Sequence, residues 1–175
     1  MVSPRILVLV AAILAGALAR ILPHPPNFTP IEALALFAGA HFASKRLAFA
    51  VPLCAMLLSD AILGFHRGMF VVYGCFAVIV TIGLWLRAHR GTLPVVMASL
   101  ASSLFFFGVT NFAVWAFGTL YPPTLAGLAA CYVAAIPFFQ NTVMGDLFYV
   151  TVLFGGFALA ERRWPILREA PATAA

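Results

Sequence analysis

The sequence predicts an all-α fold, an integral membrane bundle of six transmembrane helices that forms a single domain over residues 1–175. The first observation is composition: 64% of the 175 residues are hydrophobic and 9% are charged, whereas soluble domains carry about 25% charged residues. The second is a series of apolar segments separated by short polar or proline-rich breaks. The third is the position of the basic residues at the ends of those segments. So few polar side chains cannot cover a soluble globule.

A helix needs about 20 apolar residues to cross the hydrocarbon core, with a range of about 17–25. We predict helices over 4–21, 29–43, 47–63, 69–86, 93–117 and 142–160. The second of these is short and carries a proline in its first turn, where the missing N–H has no helical partner in any case. Pro122, Pro123 and Pro137 predict a broken segment over 118–141, with room for a short separate helix at 125–136.

The basic residues predict the orientation through the positive-inside rule. With the N-terminus in the cytoplasm, two of them, Arg20 and Arg67, lie outside. Eight lie inside: Arg5, Lys45, Arg46, Arg87, Arg90, Arg162, Arg163 and Arg168. Both chain ends are therefore predicted to be cytoplasmic. Because these residues form no patch, the net charge of +5 does not indicate a nucleic-acid partner.

The remaining polar groups fall in the outer half of this topology, with almost purely apolar inner halves below them. Ionisable groups at membrane depth are costly and by default mark a functional site. A channel would carry polar lining to the other face, so we predict an outward-facing pocket with a sealed floor. The candidate ligand-binding residues are His24, Glu32, Asp60, His66, Cys75, Asn111, Trp115, Tyr121 and Asp146.

Each of these candidates also has a structural interpretation. Asp60 can pair with Arg20 or Arg67, and Glu32 and Asp146 lie near helix starts, where the helix dipole favours a carboxylate. Trp115 and Tyr121 fit an interfacial aromatic belt. The two outer-loop histidines can simply be solvated.

Among the candidate residues, Cys75 has the most specific chemistry. A thiol in a pocket is a soft ligand for a transition metal, and Cys75 is the cysteine placed in the outer half of its helix. Cys54 and Cys131 are interpreted as apolar packing, and packing is the alternative for Cys75 too. No GxSxG, P-loop or HExxH motif occurs, so we predict no catalytic residue, no resident prosthetic group and no ATP hydrolysis by the chain itself.

The first helix carries Ala11, Ala15 and Ala19 at a spacing of four residues, which places them on one face. Small residues at this spacing let another helix approach closely in lipid. This face is a candidate docking surface for a separate membrane protein, with packing inside the bundle as the alternative.

Three stretches carry a family resemblance: PPNFTPIEALALFAGA at 25–40, LSDAILGFH at 58–66 and TNFAVW at 110–115. Together with the alanine-rich first helix, they resemble the substrate-binding S components of energy-coupling factor (ECF) transporters. The resemblance implies a vitamin bound at the outer face by the loops after helices 1, 3 and 5. It also implies that the alanine face meets a membrane scaffold subunit coupled to two ATPases.

One solitary type within this fold, the BtuM-like proteins, handles cobalamin. Its pocket cysteine ligates cobalt and promotes loss of the cyano ligand, and the resemblance assigns that role to Cys75. Three hypotheses follow: a cobalamin transporter; a transporter of another vitamin or precursor, such as a flavin, a pterin or a queuosine precursor; and a membrane assembly subunit that transports nothing.

Overall fold

The computed structural model describes residues 3–89 and 91–168, and the regular structure in those residues is helical throughout. Arg90, one of the predicted cytoplasmic basic residues, lies outside the described residues. The helices are α1 (Pro4–Ala19), α2 (Ile31–His41), α3 (Lys45–Leu63), α4 (Met69–Leu86), α5 (Thr92–Phe117), α6 (Leu125–Val150) and α7 (Gly156–Arg163).

Within the described residues, four helical spans are long and apolar enough to cross a membrane. They are α3, α4, α5 and the continuous helix Leu125–Arg163, in which a π-helical turn, Thr151–Gly155, joins α6 to α7. The helices α1 and α2 are apolar but shorter, with 16 and 11 residues. The all-α architecture, with helices long and apolar enough to span a membrane, is confirmed, and the full count of six crossings stays a prediction.

The predicted break before the last helix is wrong. Residues 125–136 and 142–160 do not form separate helices, because α6 runs through Pro137 without interruption. A proline inside a helix removes one hydrogen bond and usually bends the helix, but in membrane helices neighbouring groups restore the lost contacts. On either side of Pro137, the Tyr132 hydroxyl donates to the Gly108 carbonyl at 2.6 Å and the Phe139 ring packs on Phe107.

The second helix is shorter than the predicted range 29–43 and lies at the centre of the bundle. Residues 31–40 are all buried, and α2 contacts α1, α3, α4, α5 and α6. At about 1.5 Å per residue, its 11 residues reach about 16 Å, which is half of a hydrocarbon core of about 30 Å. Its sequence is apolar on every side except at Glu32 and at the terminal His41, the pattern of a helix enclosed by protein.

Two arginines bind the C-terminal end of α2. Arg87 donates from Nε to the Gly39 carbonyl at 2.8 Å and also binds the carbonyls of Phe42 and Ala43. Arg5 donates to the His41 carbonyl at 3.3 Å. The last carbonyls of a helix have no partner within it, and cationic side chains satisfy them.

Arg5 also brings the two ends of the described chain together, through an ion pair with Glu161 and a hydrogen bond to the Leu167 carbonyl. The start of α1, the ends of α2 and α7, and Leu167 therefore lie at one face of the bundle. We call this the inner face, and the opposite side the outer face. An even number of crossings would place both ends on one side of a membrane; the number of crossings and the cytoplasmic location of the ends stay predictions.

Helices α2 and α4 approach each other closely, backbone to backbone, at Gly39 and Gly83. A Cβ added at Gly83 would lie 2.4 Å from the Leu36 carbonyl oxygen and 2.9 Å from the Gly39 Cα. Both neighbours are backbone atoms, so the helices themselves would have to separate. The tight packing of α2 in the bundle therefore requires glycine at these two positions.

We expect Gly83→Ala to lower the free energy of unfolding by about 1–3 kcal/mol, because the new methyl group forces the two backbones apart. Thermal unfolding of the detergent-purified protein measures this. The matched control is Gly74→Ala in the same helix, where an added Cβ meets nothing within 4 Å. Equal melting temperatures for the two variants would contradict the close approach.

Candidate functional site

Glu32 and Asp146 form a buried pair of carboxyl groups inside the bundle; we call them the carboxyl pair. Glu32 lies in the first turn of α2 and Asp146 in α6, and the two residues are 2% and 1% exposed. Their side chains interact directly with each other, and the Asp146 carboxyl also lies at the backbone N–H of Ala33. Asp146 therefore occupies the N-terminal end of α2, where the N–H groups have no partner within the helix.

Helix α5 supplies three buried hydroxyls to this region. Ser99, Ser102 and Ser103 are each 0% exposed, and a spacing of three and four residues places them on one helix face. The Ser103 hydroxyl lies at hydrogen-bonding distance from Asp146 Oδ2 and from the Ser99 carbonyl. Through the Ser103 hydroxyl, the carboxyl pair is thus in contact with a third helix.

A second polar cluster lies nearer the outer face and is fully paired. Arg20, just after α1, donates to Asp60 Oδ1 at 2.8 Å and also binds the hydroxyl of Ser59. The Tyr73 hydroxyl donates to Asp60 Oδ2 at 2.8 Å. Asp60 is 3% exposed, so its carboxylate is enclosed and its charge is balanced by the guanidinium. The structural interpretation of Asp60, a pair with Arg20, is confirmed.

Cys75 lies inside the bundle, not in an open outer pocket. It is 2% exposed, and its thiol lies near enough to Glu32 to interact with that carboxyl. Cys131 is equally buried, with its thiol 3.5 Å from the Asn111 carbonyl, and Cys54 is exposed. The residues in the described part of the chain contain no group of three or more histidine, cysteine or acidic side chains suited to a metal ion.

The other candidates lie around the outer ends of the helices. The His24 and His66 side chains are exposed in the loops after α1 and α3. Asn111 donates from its side-chain amide to the Phe107 carbonyl of its own helix, and the Trp115 indole N–H donates to the Pro122 carbonyl at 3.0 Å. Tyr121 is half-buried in the turn between α5 and α6.

In this structure the acidic and thiol members of the predicted outward-facing pocket do not line one open pocket. Glu32, Cys75 and Asp146 are enclosed around the start of α2, and Asp60 is enclosed with Arg20. The cause is the short α2: its first turn begins half-way across the bundle, so Glu32 lies deeper than a full-length helix would place it. The three α5 serines were missed; their common face was the signal that could have revealed them.

A non-helical segment, 21–30, leads from the outer end of α1 down to the buried start of α2. Pro26 and Asn27 are the central residues of a turn closed by the Phe28 N–H and the Pro25 carbonyl at 3.0 Å. Asn27 has a φ of 62°, the left-handed conformation that a type II turn requires at this position. The Asn141 amide donates to the Pro26 carbonyl at 2.9 Å, which holds the segment against α6.

Two cavities lie away from the predicted ligand-binding residues. An apolar groove of about 370 Å³ runs between α1 and α6–α7, lined by Ala12, Ala15, Gly16 and Ala19 among others. A second cavity of about 530 Å³ lies near the inner face, where Thr92 and Val95 of α5 meet Thr151 and Phe154 of the π-helical turn. The three alanines at 11, 15 and 19 on one face of α1 form what we call the alanine stripe. Ala11 and Ala15 are exposed and Ala19 is half-buried, so packing within the bundle does not cover this face.

Removing one member of the Arg20–Asp60 pair is expected to destabilise the fold strongly, because the other charge stays in a site that is at most 11% exposed. We expect Asp60→Asn to cost about 3 kcal/mol of unfolding free energy. The double variant Arg20→Met/Asp60→Asn should recover most of the loss, since no charge then remains buried.

Thermal unfolding of the single and double variants measures this coupling. Tyr73→Phe is the control, because it removes one hydrogen bond to Asp60 and should cost only about 1 kcal/mol. If Asp60→Asn unfolds no earlier than Tyr73→Phe, or if the double variant is the least stable of the three, the charge pair does not stabilise the bundle as described.

Comparison with known proteins adds one family. The model of a family of unknown function, DUF6580, matches residues 1–167. No curated protein and no solved structure matches the chain. The matched range includes every helix from α1 to α7, the carboxyl pair and the Arg20–Asp60 cluster. The chain therefore belongs to the DUF6580 family.

Proposed function

We propose that the chain is a bacterial inner-membrane protein that binds a vitamin-like organic solute at its outer face and takes part in its uptake. In this proposal it acts in the manner of the S components of ECF transporters, with six crossings and both ends in the cytoplasm. The observation that carries the proposal is the half-length helix α2 together with the non-helical segment that leads down to it.

Non-helical backbone at membrane depth leaves peptide groups without helical partners. It is tolerated only where protein encloses it or where it lines a water-filled cavity. In many transporters, helices that stop near the middle of the membrane form the solute site. The segment 21–30 fits that pattern, because its N-terminal end is at the outer side and its C-terminal end is the buried first turn of α2.

The Arg20–Asp60 pair supports an outer recognition surface built from two loops. It joins the outer ends of α1 and α3, so the loops that carry His24 and His66 begin next to each other. Both imidazoles are exposed and can bind polar edges of a solute. Trp115 and Tyr121 would supply aromatic surface at the end of the α5–α6 pair. These are the loops that the resemblance to S components assigns to ligand binding.

The exposed alanine stripe supports the partner expected from the same resemblance. Ala11 and Ala15 present a small-residue surface at the outside of α1, beside the apolar groove. Such a surface allows close helix contact in lipid. In the proposal, a membrane scaffold subunit with its ATPases packs there and provides the energy that the chain cannot obtain from ATP itself.

Cobalamin is the specific substrate implied by the resemblance, and Cys75 is its proposed cobalt ligand. In this structure the Cys75 thiol is enclosed, so it does not fit cobalt ligation unless the protein rearranges to expose it. A flavin, a pterin or a queuosine precursor needs no thiol ligand. We therefore propose a vitamin-like solute in general, and a separate titration tests whether that solute is cobalamin.

Native mass spectrometry of protein purified from bacterial membranes tests the vitamin class. We expect an organic ligand to co-purify with the wild type, and His24→Ala/His66→Ala to lose most of it, because both outer-loop imidazoles are removed. His89→Ala is the matched control: His89 is also exposed but follows α4 at the inner face. If no organic ligand co-purifies and none of the four vitamin classes binds on titration, the transport proposal fails.

Titration with cyanocobalamin tests the cobalamin version. Cobalt ligation by a thiolate changes the absorption spectrum of the corrin, so the wild type should show the change and Cys75→Ser should not. Cys131→Ser, which alters an equally buried cysteine, should behave as the wild type. A wild type that leaves the spectrum unchanged excludes cobalt ligation and leaves the other vitamins.

A further inference from the structure

Four buried oxygen atoms, of the carboxyl pair and of the buried serines of α5, have no hydrogen-bond partner among the described residues. They are Glu32 Oε1, Asp146 Oδ1, Ser99 Oγ and Ser102 Oγ. Two belong to the carboxyl pair, and the other two belong to the serine face of α5 that contacts Asp146 through Ser103. Buried polar atoms in proteins are nearly always paired, so each exception calls for an explanation.

The electrostatics of the same region point to a missing positive charge. The ion pairs within the described residues are Arg5–Glu161 and Arg20–Asp60, and neither includes Glu32 or Asp146. Two carboxylates side by side in a medium of low dielectric cannot both stay ionised without compensation. A buried ionised carboxylate without a partner costs far more than any ordinary packing interaction returns.

We propose that Glu32 and Asp146, with the hydroxyls of Ser99 and Ser102, form a site for one monovalent cation half-way across the bundle, occupied by a shared proton or by Na⁺. The cation cancels one of the two negative charges of the carboxyl pair, so that the two side chains share a single remaining charge, and it links the first turn of α2 to α6 and α5. The proposal stands apart from the solute site at the outer face and does not depend on any particular solute.

The donor set decides the class of ligand. Two carboxyl groups and serine hydroxyls are hard oxygen donors, which suit a proton or an alkali cation and not a soft transition metal.

The titratable group from α4 that interacts with the carboxyl pair is Cys75. Asp60 of α3 and Tyr73 of α4 belong to the Arg20 cluster, and the buried polar side chains that α5 supplies are the three serines. None of these groups supplies a positive charge.

Infrared spectroscopy of the purified protein near neutral pH tests the proton. A shared proton gives the carbonyl-stretch band of a protonated carboxylic acid. We expect that band to shift in Glu32→Gln and in Asp146→Asn, and to be absent in the double variant. Glu161→Gln is the matched control, because Glu161 is paired with Arg5 at the inner face and should leave the band unchanged.

Thermal unfolding in NaCl and in choline chloride of equal ionic strength tests Na⁺. If Na⁺ is the occupant, NaCl raises the Tm of the wild type and of Glu161→Gln by about 3 °C or more at saturation. It should not raise the Tm of Asp146→Asn.

The wild-type protein alone can overturn the proposal: it does so if its spectrum lacks a protonated-carboxyl band and if NaCl does not raise its Tm. So does a band that survives unchanged in both single variants when sodium has no effect. Because glutamine and asparagine keep the shape of the acids and remove only their charge, we expect these variants to fold.

Discussion

A helix that is enclosed on every side and spans only half of the bundle must have the polar groups at both of its ends satisfied by the rest of the chain. For α2, the inner end is bound by Arg5 and Arg87, which donate to the last carbonyls. The other end has Pro30 in the capping position, which offers no side-chain cap. Asp146 of α6 lies there instead, at the Ala33 N–H. Asp146 thus lies near the free N–H groups at the start of α2 and places a second carboxyl beside Glu32, which makes this region acidic.

The packing around α2 depends on small residues at each approach. Gly39 and Gly83 allow α2 and α4 to meet backbone to backbone. At Gly145, an added Cβ would lie 3.1 Å from the Phe28 Cα, so the non-helical segment can press against α6 just above Asp146. Without a hydrophobic driving force in lipid, close van der Waals contact of this kind holds membrane helices together. Close van der Waals contact at small residues therefore explains both the central position of α2 and the position of the segment 21–30.

Local features of the sequence were enough to predict the helical class, the approximate bounds of α3, α4 and α5, and the pairing of Asp60 with Arg20 as one alternative. Composition and the spacing of apolar runs carry that information. They do not carry contacts between distant segments: Ser103 and Asp146 are 43 positions apart, and nothing near either residue indicates the other. Pro137 was misread for the same reason, because the groups that stabilise α6 around it belong to α5.

The carboxyl pair and the Arg20 cluster lie at opposite ends of the segment 21–30. Arg20 immediately precedes the segment and is bound to Asp60, while Glu32 follows it within the first turn of α2. Between them the segment is held by one turn and by contacts to α6 at Asn141 and Gly145. It has no helical ladder of its own, so it can move at a lower cost than any helix around it. A displacement of this segment must therefore act on a balanced charge pair at one end and on an uncompensated pair of acids at the other. That asymmetry favours the uptake of a cation at the buried end.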